Sequence, residues 1–293
     1  MIEEEFVELK SGKLQLRIAP RAGGVITRFD YVDGHKWPVM RGHDGLPESP
    51  VDAASFPLVP FVNRVRGGVF TFRGREVRLP LNLAGDASPL HGQGWLAVWQ
   101  VMSESLEGCE LAFRHHAGDW PWDYEARQIF ELDESGLLLC ITCRNLSADP
   151  MPCGLGHHPF FPCTPETRID TDATDVWTID EDVLPIEKRP ATGEYDLRDR
   201  PACAQGLDHG FGGWSGEARI WTPGEPFEIR LSSPARFFQL YSPSSGGVLV
   251  AEPVSHANAA MNAPEEAWAE LGFRVLDPGE EMTLDMRVDV RQI

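Results

Sequence analysis

An all-β chain, closed as a sandwich or a barrel, is what the sequence predicts, and three observations predict it. Apolar and polar residues alternate with a period of two over many short segments, glycine and proline punctuate the chain throughout, and helical periodicity is nearly absent. The first alternating segment is Leu14, Leu16 and Ile18. Val69–Phe72, then Arg73–Gly74, then Glu76–Leu79 reads as a hairpin, because a two-residue loop ending in glycine suits the twist of paired strands. Phe130 and Leu132 precede the turn Asp133-Glu134-Ser135-Gly136, after which Leu137, Leu139 and Ile141 alternate again. Phe227, Ile229 and Leu231 form a later strand, and Met282, Leu284, Met286, Val288 and Val290 form the last. A helical turn is expected only at Pro264-Glu265-Glu266, where proline is favourable at the first helical position. With no repeat and no low-complexity linker, residues 1–293 are expected to form one β-sandwich domain.

Charge narrows the function. The 293 residues carry 26 basic and 45 acidic side chains, a net charge of −19. Nucleic acid and anionic membranes demand a basic face, so neither is expected as a partner. The start, Met-Ile-Glu-Glu-Glu, has neither the basic opening nor the apolar run of a secretory leader. No stretch approaches the roughly 20 apolar residues that span a bilayer. Six cysteines spread over this length make no disulfide framework, so a soluble cytoplasmic protein with reduced thiols is expected.

Several segments hold residues suited to chemistry. In Gly156-His157-His158-Pro159-Phe160-Phe161, strand alternation sends neighbouring side chains to opposite faces. One histidine can face a cleft while the other packs, and imidazole exchanges protons near neutrality. Leu90-His91-Gly92 follows a turn-rich stretch, and Gly92 permits close backbone approach. Asn63-Arg64 precedes the hairpin, where a guanidinium fork can hold hydroxyls or carboxylates. Glu252 ends the apolar run Leu249-Val250-Ala251, and burial there would raise its pKa toward general-base work. Asp208 offers another acid near His209. Cys140 and Cys143 lie three apart on a strand, so their thiols diverge. That disfavours zinc, and neither a metal nor a cofactor is expected. Phosphate-loop and nucleophile-elbow motifs are missing. Trp95, Trp120, Trp122 and Trp214 lie in turn-rich segments and are the tryptophans expected nearest a pocket.

In their order along the chain, these segments resemble the aldose 1-epimerase (galactose mutarotase-like) family. The likeness runs from Ile18-Ala19-Pro20-Arg21-Ala22-Gly23-Gly24 through Asn63-Arg64, Leu90-His91-Gly92 and Trp120-Pro121-Trp122-Asp123-Tyr124 to Gly156-x-His158-Pro159-Phe160-Phe161. It continues with Thr192-Gly193, Leu207-Asp208, Glu252-Pro253, Asn262 and Leu276-x-Pro278-Gly279-Glu280. The resemblance implies a large antiparallel β-sandwich with an open cleft, and a reaction that interconverts the α and β anomers of a free aldose without a cofactor. It implies Glu252 as the base at the C1 hydroxyl and His158 as the acid at the ring oxygen. His91 would bond near the ring oxygen, and Arg64, Asp208 and Asn63 would hold the sugar. Galactose mutarotases typically carry Asn-His-Ser-Tyr-Phe around the catalytic histidine, where this chain has His157-His158-Pro159-Phe160-Phe161. The sugar is therefore open, as is whether the chain works alone or as a homodimer. Two other readings stand beside the main one: a hexose-6-phosphate 1-epimerase, which needs a basic cleft rim, and a sugar-binding module that has lost turnover.

Overall fold

The computed structural model describes residues 5–293. The acidic start read above falls largely at positions 1–4, outside the described residues. Two large antiparallel sheets carry the fold. One has nine strands, in the order Arg200–Pro201, Arg168–Thr171, Glu217–Trp221, Phe227–Ser232, Glu281–Gln292, Gly136–Asn145, Tyr124–Asp133, Gly108–His115 and Gln100–Glu104. The other has eight. It runs Pro185–Pro190, Asp175–Ile179, Leu207–Gly212, Phe237–Ser242, Val248–Val254, Gly156–His157 and Pro57–Leu58, with Phe160–Pro162 also paired to Val248–Val254. The N-terminal strands Val7–Ser11, Leu14–Ala19, Val25–Val32 and Lys36–Met40 form a third sheet.

The alternation read from sequence is what fills the core. Along Glu281–Gln292, Met282, Leu284, Met286, Val288 and Val290 turn inward. They join Leu137, Leu139 and Ile141 of the neighbouring strand, and Phe238, Leu240, Leu249 and Ala251 of the opposite sheet, in one buried cluster. Burial of each such side chain contributes about 1.5–3 kcal/mol, and a polar residue shifted by one position would enter that layer. The hairpin forms as expected, between Val69–Phe72 and Arg75–Arg78, and both Arg73 and Gly74 adopt positive φ, the geometry of its tight turn. The helical turn is Glu265–Trp268, with Pro264 one residue before its first helical position rather than on it.

The four tryptophans expected near a pocket are all buried, yet Trp120 lines a surface cavity with Phe61 and Phe113, and Trp95 lies edge-on to His91. Trp95, Trp120, Trp122 and Trp214 are at most 5% exposed. Turn-rich sequence around an indole marks where the chain bends over the core, and the large ring fills the space beneath. Trp95 packs on Phe56 and donates to the Gly92 carbonyl, while Trp214 stacks on Phe238 and donates to Thr171.

Candidate active site

The eight-stranded sheet has one face toward the layer between the two large sheets and a second face turned away from it. Gln239 lies opposite Glu252 in the ladder, and Asp208 lies opposite Tyr241. Period-two alternation therefore puts Glu252, Gln239 and Asp208 on one face, while Ala251, Leu240 and Leu249 supply the other. Gln239 Nε2 donates to Asp208 Oδ1 at 2.7 Å, which fixes that carboxylate. Burial raises the Asp208 pKa, and Arg64 and the Gln239 bond oppose that rise.

His158 follows the short strand Gly156–His157 and is held there by its backbone N–H, which donates to the Phe56 carbonyl. Its ring stacks on Phe56, centroids 4.3 Å apart, and packs at a tilt against Phe160 at 4.6 Å. Nε2 is 3.3 Å from Glu252 Oε1, and the two side chains are 13% and 3% exposed. Burial pulls the His158 pKa down to about 3, aided by the positive charge of Arg41. Burial, joined by the negative charge of Asp208, pushes Glu252 well above the usual carboxylate range. The contact therefore brings a neutral imidazole to a carboxyl whose protonated form burial favours. Each member keeps one polar atom with no protein partner, Nδ1 of His158 and Oε2 of Glu252.

His91 approaches from a loop, its ring 5.5 Å from that of His158 and at right angles to it. His91 itself adopts φ +58°, a strained conformation for a non-glycine residue. Its neighbour Gly92 is also left-handed, and a Cβ there would lie 2.1 Å from the Val59 carbonyl oxygen, so glycine is required. The Asn63 backbone N–H donates to His91 Nδ1 at 3.1 Å, which leaves the ring proton on Nε2. Burial, together with the positive charge of Arg64, keeps this ring neutral, its pKa well below the ordinary value. Asn63 thus serves His91 through its backbone, and its side chain only grazes Arg64.

Arg64 donates from Nε and Nη2 to one oxygen of Asp86, at 3.1 and 2.8 Å, and both side chains are largely buried. Its backbone N–H donates to Asn258 Oδ1. His256 secures the same segment. Its Nε2 accepts from the Val62 N–H at 3.1 Å, and its Nδ1 donates to the Ala257 carbonyl at 2.8 Å. Asn82 completes the frame, donating to the Leu90 and Gly92 carbonyls on either side of His91. Asp86, Gln239, Asn82, His256 and Asn258 escaped sequence reasoning. Asp86 alone carried a signal, an acid in the turn-rich stretch before His91.

His157 points away from this constellation. It is fully buried, and neither ring nitrogen closes a hydrogen bond. Its ring lies toward the Leu284 carbonyl of the opposite sheet, and burial lowers its pKa to about 3. Among the described residues, no group of three or more His, Cys, Asp or Glu side chains is placed to hold a metal ion. Cys143 packs beside Cys153 in the core while Cys140 lies toward Asp285. No helix among the described residues is long and apolar enough to cross a membrane.

A fold of two antiparallel sheets with histidines, arginine and carboxylates converging on one face can be compared with known proteins. The aldose 1-epimerase family model matches residues 5–289. The chain belongs to the aldose 1-epimerase family. Within that family it is 35% identical to the uncharacterised Escherichia coli K12 protein YphB, over 96% of this chain and 97% of YphB. A solved galactose mutarotase-like protein from Clostridium acetobutylicum superposes with a TM-score of 0.86, covering 98% of this chain and 95% of that one at 18% identity. The solved galactose 1-epimerase of Lactobacillus acidophilus gives 0.76, over 100% of this chain and 96% of that one at 16% identity. At these identities the two structures speak to the fold, which is that of this aldose epimerase family member.

Proposed function

We propose that this protein is an aldose 1-epimerase that interconverts the α and β anomers of a neutral free sugar. The observation that carries the reading is the His158–Glu252 pair, Nε2 and Oε1 3.3 Å apart, with Nδ1 and Oε2 unpartnered. A hemiacetal carries its hydroxyl and its ring oxygen on the same carbon, so one donor and one acceptor side by side can serve both. In this reading the pair shares one proton, held by Glu252 in the empty site, and its transfer to His158 leaves a carboxylate base and an imidazolium acid. Glu252 takes the proton of the C1 hydroxyl, the C1–O1 bond becomes a carbonyl, the C1–O5 bond breaks, and His158 protonates O5. Rotation about C1–C2 and reclosure, with the roles reversed, give the other anomer. Each partner contributes about 10²–10⁴-fold. His91 donates from Nε2 to the ring oxygen or a neighbouring hydroxyl. Arg64, fixed by Asp86, and Asp208, fixed by Gln239, bind the remaining hydroxyls.

The charges around the pair favour a neutral sugar over a phosphorylated one. Arg64 is neutralised by Asp86, and Arg66, the next basic residue, lies 3.4 Å from Asp180. Asp208 adds negative charge beside Glu252, and an anionic group placed there would be repelled at short range. A sugar-binding module would need no proton-sharing pair. The test is anomer-exchange NMR over neutral and charged aldoses. Exchange above the spontaneous rate for at least one neutral aldose is expected, and a protein that accelerates none of them refutes the reading.

A further inference from the structure

His158 packs against Phe160, their ring centroids 4.6 Å apart. The Arg41 guanidinium lies over the same phenyl ring, 3.9 Å from its centroid. Arg41 also holds the strand that carries Phe160, since its backbone N–H donates to the Phe160 carbonyl at 2.7 Å. Its Nη2 donates to the carbonyls of Val51 and, at 2.6 Å, Ala53, while its Nε is buried without a partner. Among the described residues no carboxylate closes an ion pair with it. The nearest acid that acts on it is Asp52, exposed on the adjoining turn.

We propose that Arg41 is a positioning residue for His158: it fixes the Phe160 ring against which the imidazole rests, and sets against that ring a positive charge with no ion-pair partner among the described residues. The proposal rests on the assignment of His158 to proton transfer made above. A guanidinium stays protonated throughout the accessible pH range and stacks on a ring face, which an ammonium does less well. The groups that face His158 are Glu252 from the neighbouring strand, His91 from its loop and Arg41 from the end of Lys36–Met40. Arg64 and Asp208 act one step further out, on Glu252 and His91. Among these Arg41 is the fixed cation aimed at the imidazole, and it favours the neutral ring. The shared proton is thereby kept on Glu252 while the cleft is empty, and the imidazolium formed during turnover is a stronger acid than a free one.

The test uses the full chain and two readouts: the pH dependence of kcat for an accepted aldose, and the ring 15N shifts of His158 without substrate. Arg41→Met keeps a stem over Phe160 and removes the charge. The midpoint at which the pair loses its proton should move to higher pH by roughly half a unit, from the loss of one charge at this range. Asp52→Asn removes the opposing charge and should move it to lower pH. Arg41→Lys should return the midpoint while kcat stays reduced and KM stays unchanged, because the charge is restored and the flat stack is not. A role confined to bracing Val51–Ala53 would lower kcat or stability and leave every midpoint in place. An unmoved midpoint in folded Arg41→Met overturns the proposal. If that variant does not fold, the absence of a downward shift in Asp52→Asn overturns it. If the parent accelerates no anomer exchange, the functional reading fails and the ring shifts alone judge Arg41.

Discussion

His157 and His158 are neighbours in sequence, yet they belong to two different regions of the molecule. The first faces the apolar layer between the sheets, and the second faces the side of the eight-stranded sheet turned away from it. Burial lowers both pKa values to about 3, so a depressed pKa does not distinguish them. The surroundings do. Neither nitrogen of His157 has a partner, whereas His158 Nε2 lies 3.3 Å from Glu252 and leaves Nδ1 available. The difference teaches that desolvation makes an imidazole neutral anywhere in a core. Only a second titratable group within bonding distance turns that neutrality into acid–base chemistry.

The largest expected effect falls on the cleft side. Glu252→Gln keeps size and hydrogen bonding but takes no proton, and His158→Asn gives none near neutrality. Each should lower kcat by roughly 10²–10⁴ with a smaller change in KM. The double variant should be little worse than the worse single, since the two act as a unit. Polarimetry corrected for spontaneous mutarotation measures this, and parental turnover in Glu252→Gln would remove the distinction between the two regions.

Arg64→Lys sharpens the comparison at the edge of the cleft. It keeps the charge and loses the two-pronged grip on Asp86, so KM should rise about tenfold while kcat changes less. Saturation curves identical to the parent for every accepted sugar would mean that Arg64 does not touch substrate.

The core side should answer in stability rather than in rate. His157→Asn should keep turnover within about threefold while costing about 1–3 kcal/mol of stability. The pH dependence carries a definite sign. Between about pH 4 and 6.5, the unfolded chain binds protons on His157 and His256 that the native state refuses, their folded values being about 3 and 4, while the low His158 value is offset by the raised Glu252. The unfolded state then holds more protons, so stability climbs with pH across that window. Urea titrations at pH 4.5 and 7 should show this rise, and His157→Leu should flatten it. A variant dead at position 157 and active at position 158 would exchange the two roles.

Much of this was legible before any coordinates. Period-two patterning located the core strands because burying one face of a sheet leaves a periodic trace. Glu252 announced itself as an acid ending an apolar run. His158 was separable from His157 by alternation and by the Pro-Phe-Phe that follows. What stayed hidden was support. Gln239 looked like any strand polar residue until the ladder placed it opposite Glu252 and beside Asp208. Arg41 had no sequence neighbour of interest, because its partner ring arrives from Phe160, more than a hundred residues later. Left-handed φ was expected at Gly92 alone, and His91 shares it, held by bonds to Asn63 that no local pattern encodes. The burial of the tryptophans stayed hidden for a related reason: turn residues describe the backbone outside the core and say nothing of the side chain beneath it.

The clamp on the Arg64 segment has a consequence for how the chain folds. Val62, Arg64 and Arg66 are held through their backbone N–H groups by His256, Asn258 and Asn262, across 194, 194 and 196 residues of chain. During synthesis the Arg64 side chain can meet Asp86 early, whereas these three backbone holds wait until residues 256–262 have emerged. Contacts of such long sequence separation form late. A nascent chain that stops short of His256 therefore carries Arg64 on a segment whose backbone is not yet fixed.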